Sequence, residues 1–283
     1  MRIDRFRFCW NPYPTLPVAM ALLVATVASQ AALVAAEDAA VRPLRQAHAH
    51  NDYLHDRPLV DALSHGFTSV EADVFLIDGE LLVAHTRREI RPDRSLKRLY
   101  LDPLRERTRS AGGSIHGDGK PFFLLIDIKS DAEATYAALH ETLADYADVV
   151  TTHRDGQVNR RAIDVVISGN RPIDTIVAQS QRYAGIDGRL GDLDSELSSD
   201  VLPLISDRWG AHFRWRGTGP IDDAESTRLR EIVSRAHAAG RRVRFWATPE
   251  TESAWRLLHQ VGVDHINTDD LAGLAAFLRQ TDR

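Results

Sequence analysis

Phe122-Phe123-Leu124-Leu125-Ile126-Asp127-Ile128-Lys129 is the stretch that decides the fold. From Phe122 to Ile128 it holds a single charge, too few polar positions for a strand with one wet face. Such a run belongs to a strand covered on both faces, as in a parallel sheet flanked by helices. Its polar residues stand at its end. Asp127 and Lys129 are two apart, so they share a face while Ile128 takes the other.

Outward from this run, strand-like and helix-like segments alternate. Leu44–His50, Ser69–Phe75, Asp164–Ser168, Tyr183–Asp187, Val201–Ser206, Val243–Thr248 and Asp264–Thr268 read as further strands. Helices are predicted over Pro58–His65, Ser95–Arg109, Asp131–Tyr146 and Pro172–Gln179, with Asp131 as a cap. Three more are predicted over Asp222–Ala239, Glu252–Val261 and Leu271–Arg279. Asp78-Gly79 marks a hairpin turn that returns the chain over Glu80–His85. Without that return strand, eight strands alternate with helices. The pattern predicts an α/β protein with a single (β/α)8 TIM barrel. No internal repeat or domain linker interrupts it. No G-x-G-x-x-G or P-loop follows a strand, so nucleotide binding of those kinds is not indicated.

The 283 residues, 43% hydrophobic and 27% charged, fit one large globular domain. The start differs. Arg2, Arg5 and Arg7 precede a nearly charge-free stretch from Leu16 to Ala36 that ends in small residues. This layout predicts a signal peptide over 1–36, a domain over 37–283, and a secreted or periplasmic location; a retained anchor is the alternative. The only cysteine, Cys9, lies in that leader, so the mature chain would have no disulfide. It would also have no stable membrane span. The formal charge is −5; the leader carries +2, which leaves the remainder near −7. That sign does not favour nucleic acid or anionic membrane surfaces.

The strand ends gather the chemistry. The first gives His48, His50 and Asn51, the second Glu71 and Asp73, the return strand His85, and the third Asp127 and Lys129. Polar groups aimed into a barrel interior are costly unless an ion compensates them. Asn51, Glu71, Asp73 and Asp127 offer hard oxygens, which suit Ca2+ or Mg2+ rather than zinc. A divalent cation there would accept an anionic phosphoryl oxygen. Lys129 would give a second positive contact. His50 and His85 would then exchange protons with the attacking and leaving oxygens.

Several motifs resemble a known superfamily. They are Ala47-His48-Ala49-His50-Asn51-Asp52-Tyr53, Val70-Glu71-Ala72-Asp73-Val74, Leu82-Val83-Ala84-His85 and Leu125-Ile126-Asp127-Ile128-Lys129. Phe245-Trp246-Ala247-Thr248 and Gly262-Val263-Asp264-His265-Ile266-Asn267-Thr268-Asp269 extend the match. Together they resemble the phosphatidylinositol phospholipase C-like and glycerophosphodiester phosphodiesterase superfamily. The nearest likeness is to bacterial members related to the altered-inheritance-of-mitochondria proteins. The resemblance implies a TIM barrel and a phosphodiesterase using one Ca2+ or Mg2+ ion, acting on a small phosphodiester or a phospholipid head group. It implies catalytic roles for His50 and His85, metal ligation by Asn51, Glu71, Asp73 and Asp127, and phosphate contact by Lys129. Glycerophosphodiesterases usually read His-Arg-Gly on the first strand; this chain does not, and against that pattern His48 is the aligned catalyst. Arg189, Arg244 and Trp246, near later strand ends, are candidates to contact the alcohol or head group. A zinc amidohydrolase-like barrel, suggested by His48-Ala49-His50, is an alternative reading, as is a non-catalytic barrel that binds a phosphorylated ligand.

Overall fold

The computed structural model describes residues 41–281. The expected leader, 1–36, lies outside the described residues. The strands are β1 (Leu44–Ala49), β2 (Phe67–Ile77), β3 (Glu80–Val83), β4 (Phe122–Ile128), β5 (Thr152–Arg154) and β6 (Gln157–Asn159). They continue with β7 (Ile163–Gly169), β8 (Gln181–Arg182), β9 (Gly185–Gly188), β10 (Leu204–Arg208), β11 (Arg242–Trp246) and β12 (His265–Thr268).

Eight of these close on themselves. The order β1-β12-β11-β10-β9-β7-β4-β2 is completed by pairing of β2 with β1, and every pairing around the ring is parallel. Helices fill the crossovers, among them Ala132–Ala144, Asp223–Ala238, Glu252–Val261 and Leu271–Thr281. The expected (β/α)8 barrel is present. β3 stands outside the ring, antiparallel to β2. Asp78 and Gly79 both have positive φ, 48° and 85°, as a tight two-residue hairpin requires.

Local signals explain the boundaries. Asp131 accepts from the Ala134 amide at the start of Ala132–Ala144, and Asp222 does the same for Ala224. The strand expected over Val201–Ser206 begins only at Leu204, because Pro203 has no N–H for the ladder. The strand expected from Tyr183 likewise begins later, at Gly185. Sequence reading missed one feature: β5, β6 and β8 form a small antiparallel sheet of polar residues, without hydrophobic alternation to reveal it.

The core has two parts. Leu124, Ile126 and Ile128 belong to the large cluster that joins barrel and helices. Phe123, Leu125, Val166 and Leu204 form a separate cluster on the opposite strand faces, inside the barrel. The rest of the interior is polar. His48, Ser69, Glu71, Arg244, His265 and Asn267 are all buried there. One side of the lumen is therefore hydrocarbon and the other is a hydrogen-bonded polar network.

Candidate active site

The C-terminal ends of β2 and β4 build the centre. Their register sets Glu71 against Leu125 and Asp73 against Asp127, so all three carboxylates point to one face. Ligand atoms of Glu71, Asp73 and Asp127 lie within 4.8 Å of one another. Gly169, at the end of β7, makes room for them. A Cβ there would stand 2.1 Å from Asp127 Oδ1.

Cations face this cluster from two sides. Lys129 Nζ is 3.2 Å from Asp73 Oδ2 and 3.1 Å from Asp127 Oδ1. Arg244 donates to Glu71 Oε2 from below. The charges that result are unequal. Burial alone would raise the Glu71 carboxyl, but Arg244 and His48 outweigh it and hold it well below the usual carboxylate range. Burial, then the charge of Glu71, raises Asp73. Burial pushes Asp127 up to about 6 despite Lys129. Lys129 itself is held above its ordinary value, because Asp127 and Asp73 outweigh its burial. Asp73 Oδ1 is buried with no hydrogen-bond partner. Crowded oxygens, the raised pKa values of Asp73 and Asp127, and an unpartnered carboxylate atom fit a divalent cation, as does the hard-oxygen donor set.

The two flanking histidines are oriented by carboxylates. His50 Nδ1 is 2.8 Å from Asp269 Oδ1, just past β12. His85 Nδ1 is 3.3 Å from Asp73 Oδ2 and 3.0 Å from the Tyr53 hydroxyl. A proton on Nδ1 leaves Nε2 of each ring free to exchange one. Asn51, next to His50, places its side-chain amide 3.0 Å from His50 Nδ1 and 2.7 Å from the Tyr53 hydroxyl. Its φ of 47° is the left-handed conformation that Asn tolerates.

His48 lies elsewhere. It has no exposed surface, its Nδ1 is 2.6 Å from Ser69 Oγ, and its Nε2 is 3.6 Å from Glu71. Burial, then Arg244, holds its pKa down to about 3. It is an interior residue, away from the mouth. Arg244 is interior too, buried between Glu71 and Asn267, so the expectation that it meets a head group is corrected. Arg189 Nη1 bonds Asp187 Oδ2 at 2.8 Å, and Asp187 also accepts from Ser168 and Ser206. Asp187 and Ser206 lie on β9 and β10, the fifth and sixth strands of the ring, and neither strand ends in a histidine that could serve a zinc amidohydrolase-like site. Trp246 is half-buried, with the Arg208 guanidinium 5.8 Å from its ring. Sequence reading missed Tyr53, which follows the His-Asn-Asp run directly. It also gave the His50 partner, Asp269, no role in this site.

A barrel whose mouth holds a carboxylate triad, a lysine and two histidines belongs to the glycerophosphodiesterase and phospholipase C-like class. A family model described as an AIM6-like phosphodiesterase domain matches residues 37–186, and one for the glycerophosphoryl diester phosphodiesterase family matches 242–272. The chain belongs to the AIM6-like phosphodiesterase family. It is 30% identical over 271 residues to altered inheritance of mitochondria protein 6 of Eremothecium gossypii, covering 83% of this chain and 69% of that protein. It is 27% identical over 254 residues to the homologue in Arthroderma benhamiae, covering 79% and 81%. Among solved structures it resembles a calcium-dependent phosphoinositol-specific phospholipase C from Pseudomonas sp (TM-score 0.54, 12% identity, 83% and 95% covered). It also resembles a glycerophosphodiester phosphodiesterase from Parabacteroides distasonis (TM-score 0.50, 12% identity, 86% and 100% covered). At such identities these two likenesses concern the fold.

The comparisons bear out the family and correct one expectation. The relatives named above are fungal. They are named for the inheritance of mitochondria, not for export, so the secreted or periplasmic location does not stand. Among the described residues, no helix is long and apolar enough to cross a membrane.

Proposed function

We propose that this chain hydrolyses a small phosphodiester, or a phospholipid head-group diester, with one Ca2+ or Mg2+ ion held by Glu71, Asp73, Asp127 and Asn51. The carrying observation is the carboxylate triad with its two histidines, each held at Nδ1 beside a carboxylate. When bound, the cation supplies Lewis-acid stabilisation of phosphoryl charge.

The protein groups do the rest. Lys129 contacts a non-bridging phosphate oxygen. His50 Nε2 takes the proton of the attacking hydroxyl or water, and His85 Nε2 gives one to the leaving oxygen. We assign the first-strand role to His50, because His48 has no exposed surface from which to reach a substrate. Arg189 and Trp246 sit at later strand ends and contact the alcohol portion.

Charge supports a diester. With all three carboxylates ionised, Lys129 and Arg244 leave the site one unit negative. A divalent ion makes it one unit positive, which matches a phosphodiester monoanion.

The test is cleavage of glycerophosphodiesters, phosphoinositides and sphingomyelin by the purified chain, with Ca2+, with Mg2+ and after chelation. Cation-dependent cleavage of at least one class is expected. Inactivity across the panel, or activity that survives chelation, overturns the reading.

A further inference from the structure

Arg244 stands beneath the carboxylate cluster, 3% exposed, on β11. It donates from Nη2 to Glu71 Oε2, and from Nε and Nη2 to Asn267 Oδ1 at 2.9 and 2.7 Å. Gripped by both partners, the guanidinium does not swing. His48 Nε2 lies 3.6 Å from the same Glu71 oxygen. The Oε2 of Glu71 is thus engaged by a buried guanidinium, whereas Asp73 and Asp127 share Lys129, whose side chain is partly exposed at the mouth. The three carboxylates are not equivalent.

We infer that Arg244 is a positioning residue that neutralises Glu71 and so sets how strongly the site holds its divalent cation. Glu71 stays a ligand beside Asp73 and Asp127, but with its charge offset from beneath. This inference rests on the divalent-metal reading above. A fixed positive charge next to the ligands repels an incoming cation, and because it is buried, salt screens it little. The same charge helps the substrate. With Arg244 the loaded site is one unit positive; without it the site would be neutral and would lose its attraction for an anionic diester. Arg244 weakens metal binding and strengthens substrate binding at once.

Titration calorimetry with CaCl2 and with MgCl2 on the full chain tests this. Arg244→Met should bind the preferred ion at least tenfold more tightly than the unmodified chain, and that ion should raise its melting temperature by a larger increment. The KM for a cleaved diester should rise. Glu71→Gln, which leaves Arg244 on Asn267 with its charge no longer offset, should weaken ion binding at least tenfold. Equal or weaker binding by Arg244→Met, or unweakened binding by Glu71→Gln, overturns the inference. Should Arg244→Met fail to fold, the double variant Glu71→Gln/Arg244→Met decides: it should bind more tightly than Glu71→Gln, and equal or weaker binding overturns the inference. An unmodified chain that binds neither ion removes the metal reading itself, and that outcome is distinct from unaltered affinity in the variants.

Discussion

The Tyr53 hydroxyl donates to Asp73 Oδ2 at 2.6 Å, and the phenol oxygen of Tyr53 lies 3.0 Å from His85 Nδ1. One phenol therefore ties a candidate metal ligand to a candidate proton donor. Burial, and then Asp73, hold its pKa far above the ordinary phenol value, so it stays a donor throughout the working pH range. Tyr53→Phe should fold, lose about 1–2 kcal/mol of stability, and lower kcat more than it raises KM. Thermal melts and steady-state kinetics check this. Unchanged kcat would remove Tyr53 from the site.

His50 and His85 act as separate proton carriers in the proposed reaction. Alanine at either should lower kcat by about 10² to 10⁴, with little change in melting temperature, since neither ring is packed in the core. The double variant should fall short of the product of the two effects, because groups that act together are not additive. Single-variant activity within a factor of two of the parent contradicts the assignment.

Gly169 has φ +69°, and a Cβ there would meet Asp127 Oδ1 and the Ile128 backbone. Gly169→Ala should cost more than about 1 kcal/mol and should weaken cation binding, because Asp127 must move. Calorimetry and denaturant unfolding measure both. A stable variant with unaltered affinity would show that β7 can retreat.

His153 gives a pH test far from the site. Burial, and then Arg182, hold its pKa down to about 4. The unfolded imidazole protonates near 6.5. The neutral form thus stabilises the fold fully above about pH 6.5, and that contribution is lost as pH falls through about 4. At about 1.4 kcal/mol per pH unit between 6.5 and 4, the loss comes to about 3.5 kcal/mol. Buried His265, held well below its ordinary value first by burial and then by Arg242, acts in the same direction. In His153→Phe, unfolding free energy should fall less steeply from pH 7 to 4 than in the parent. Parallel curves would refute the linkage.

Much of this site was legible because strands alternate. The spacing of Glu71 with Asp73, and of Asp127 with Lys129, already placed each pair on one face, and the barrel register then set Asp73 opposite Asp127. The spacing of His48 and His50 misled for a physical reason. Periodicity gives the face but not the depth, and β1 ends at Ala49, so His48 is sealed inside while His50 emerges. Partners distant in sequence were also hidden. The His50 contact with Asp269 spans 219 positions and that of Glu71 with Arg244 spans 173, and only the closed ring brings such residues together.

The two histidines rest on different foundations. His50 follows a strand of the closed ring, but His85 follows β3, which pairs with β2 alone in the main sheet and meets Ser95 by a single bridge. Insertions or deletions at the Asp78-Gly79 turn would slide β3 along β2, and with it one proton carrier relative to the other, while the ring keeps every ladder intact. Divergence among descendants of this barrel has an inexpensive route there: hairpin length can adapt the gap between the histidines to leaving groups of different size before any lumen residue has to change.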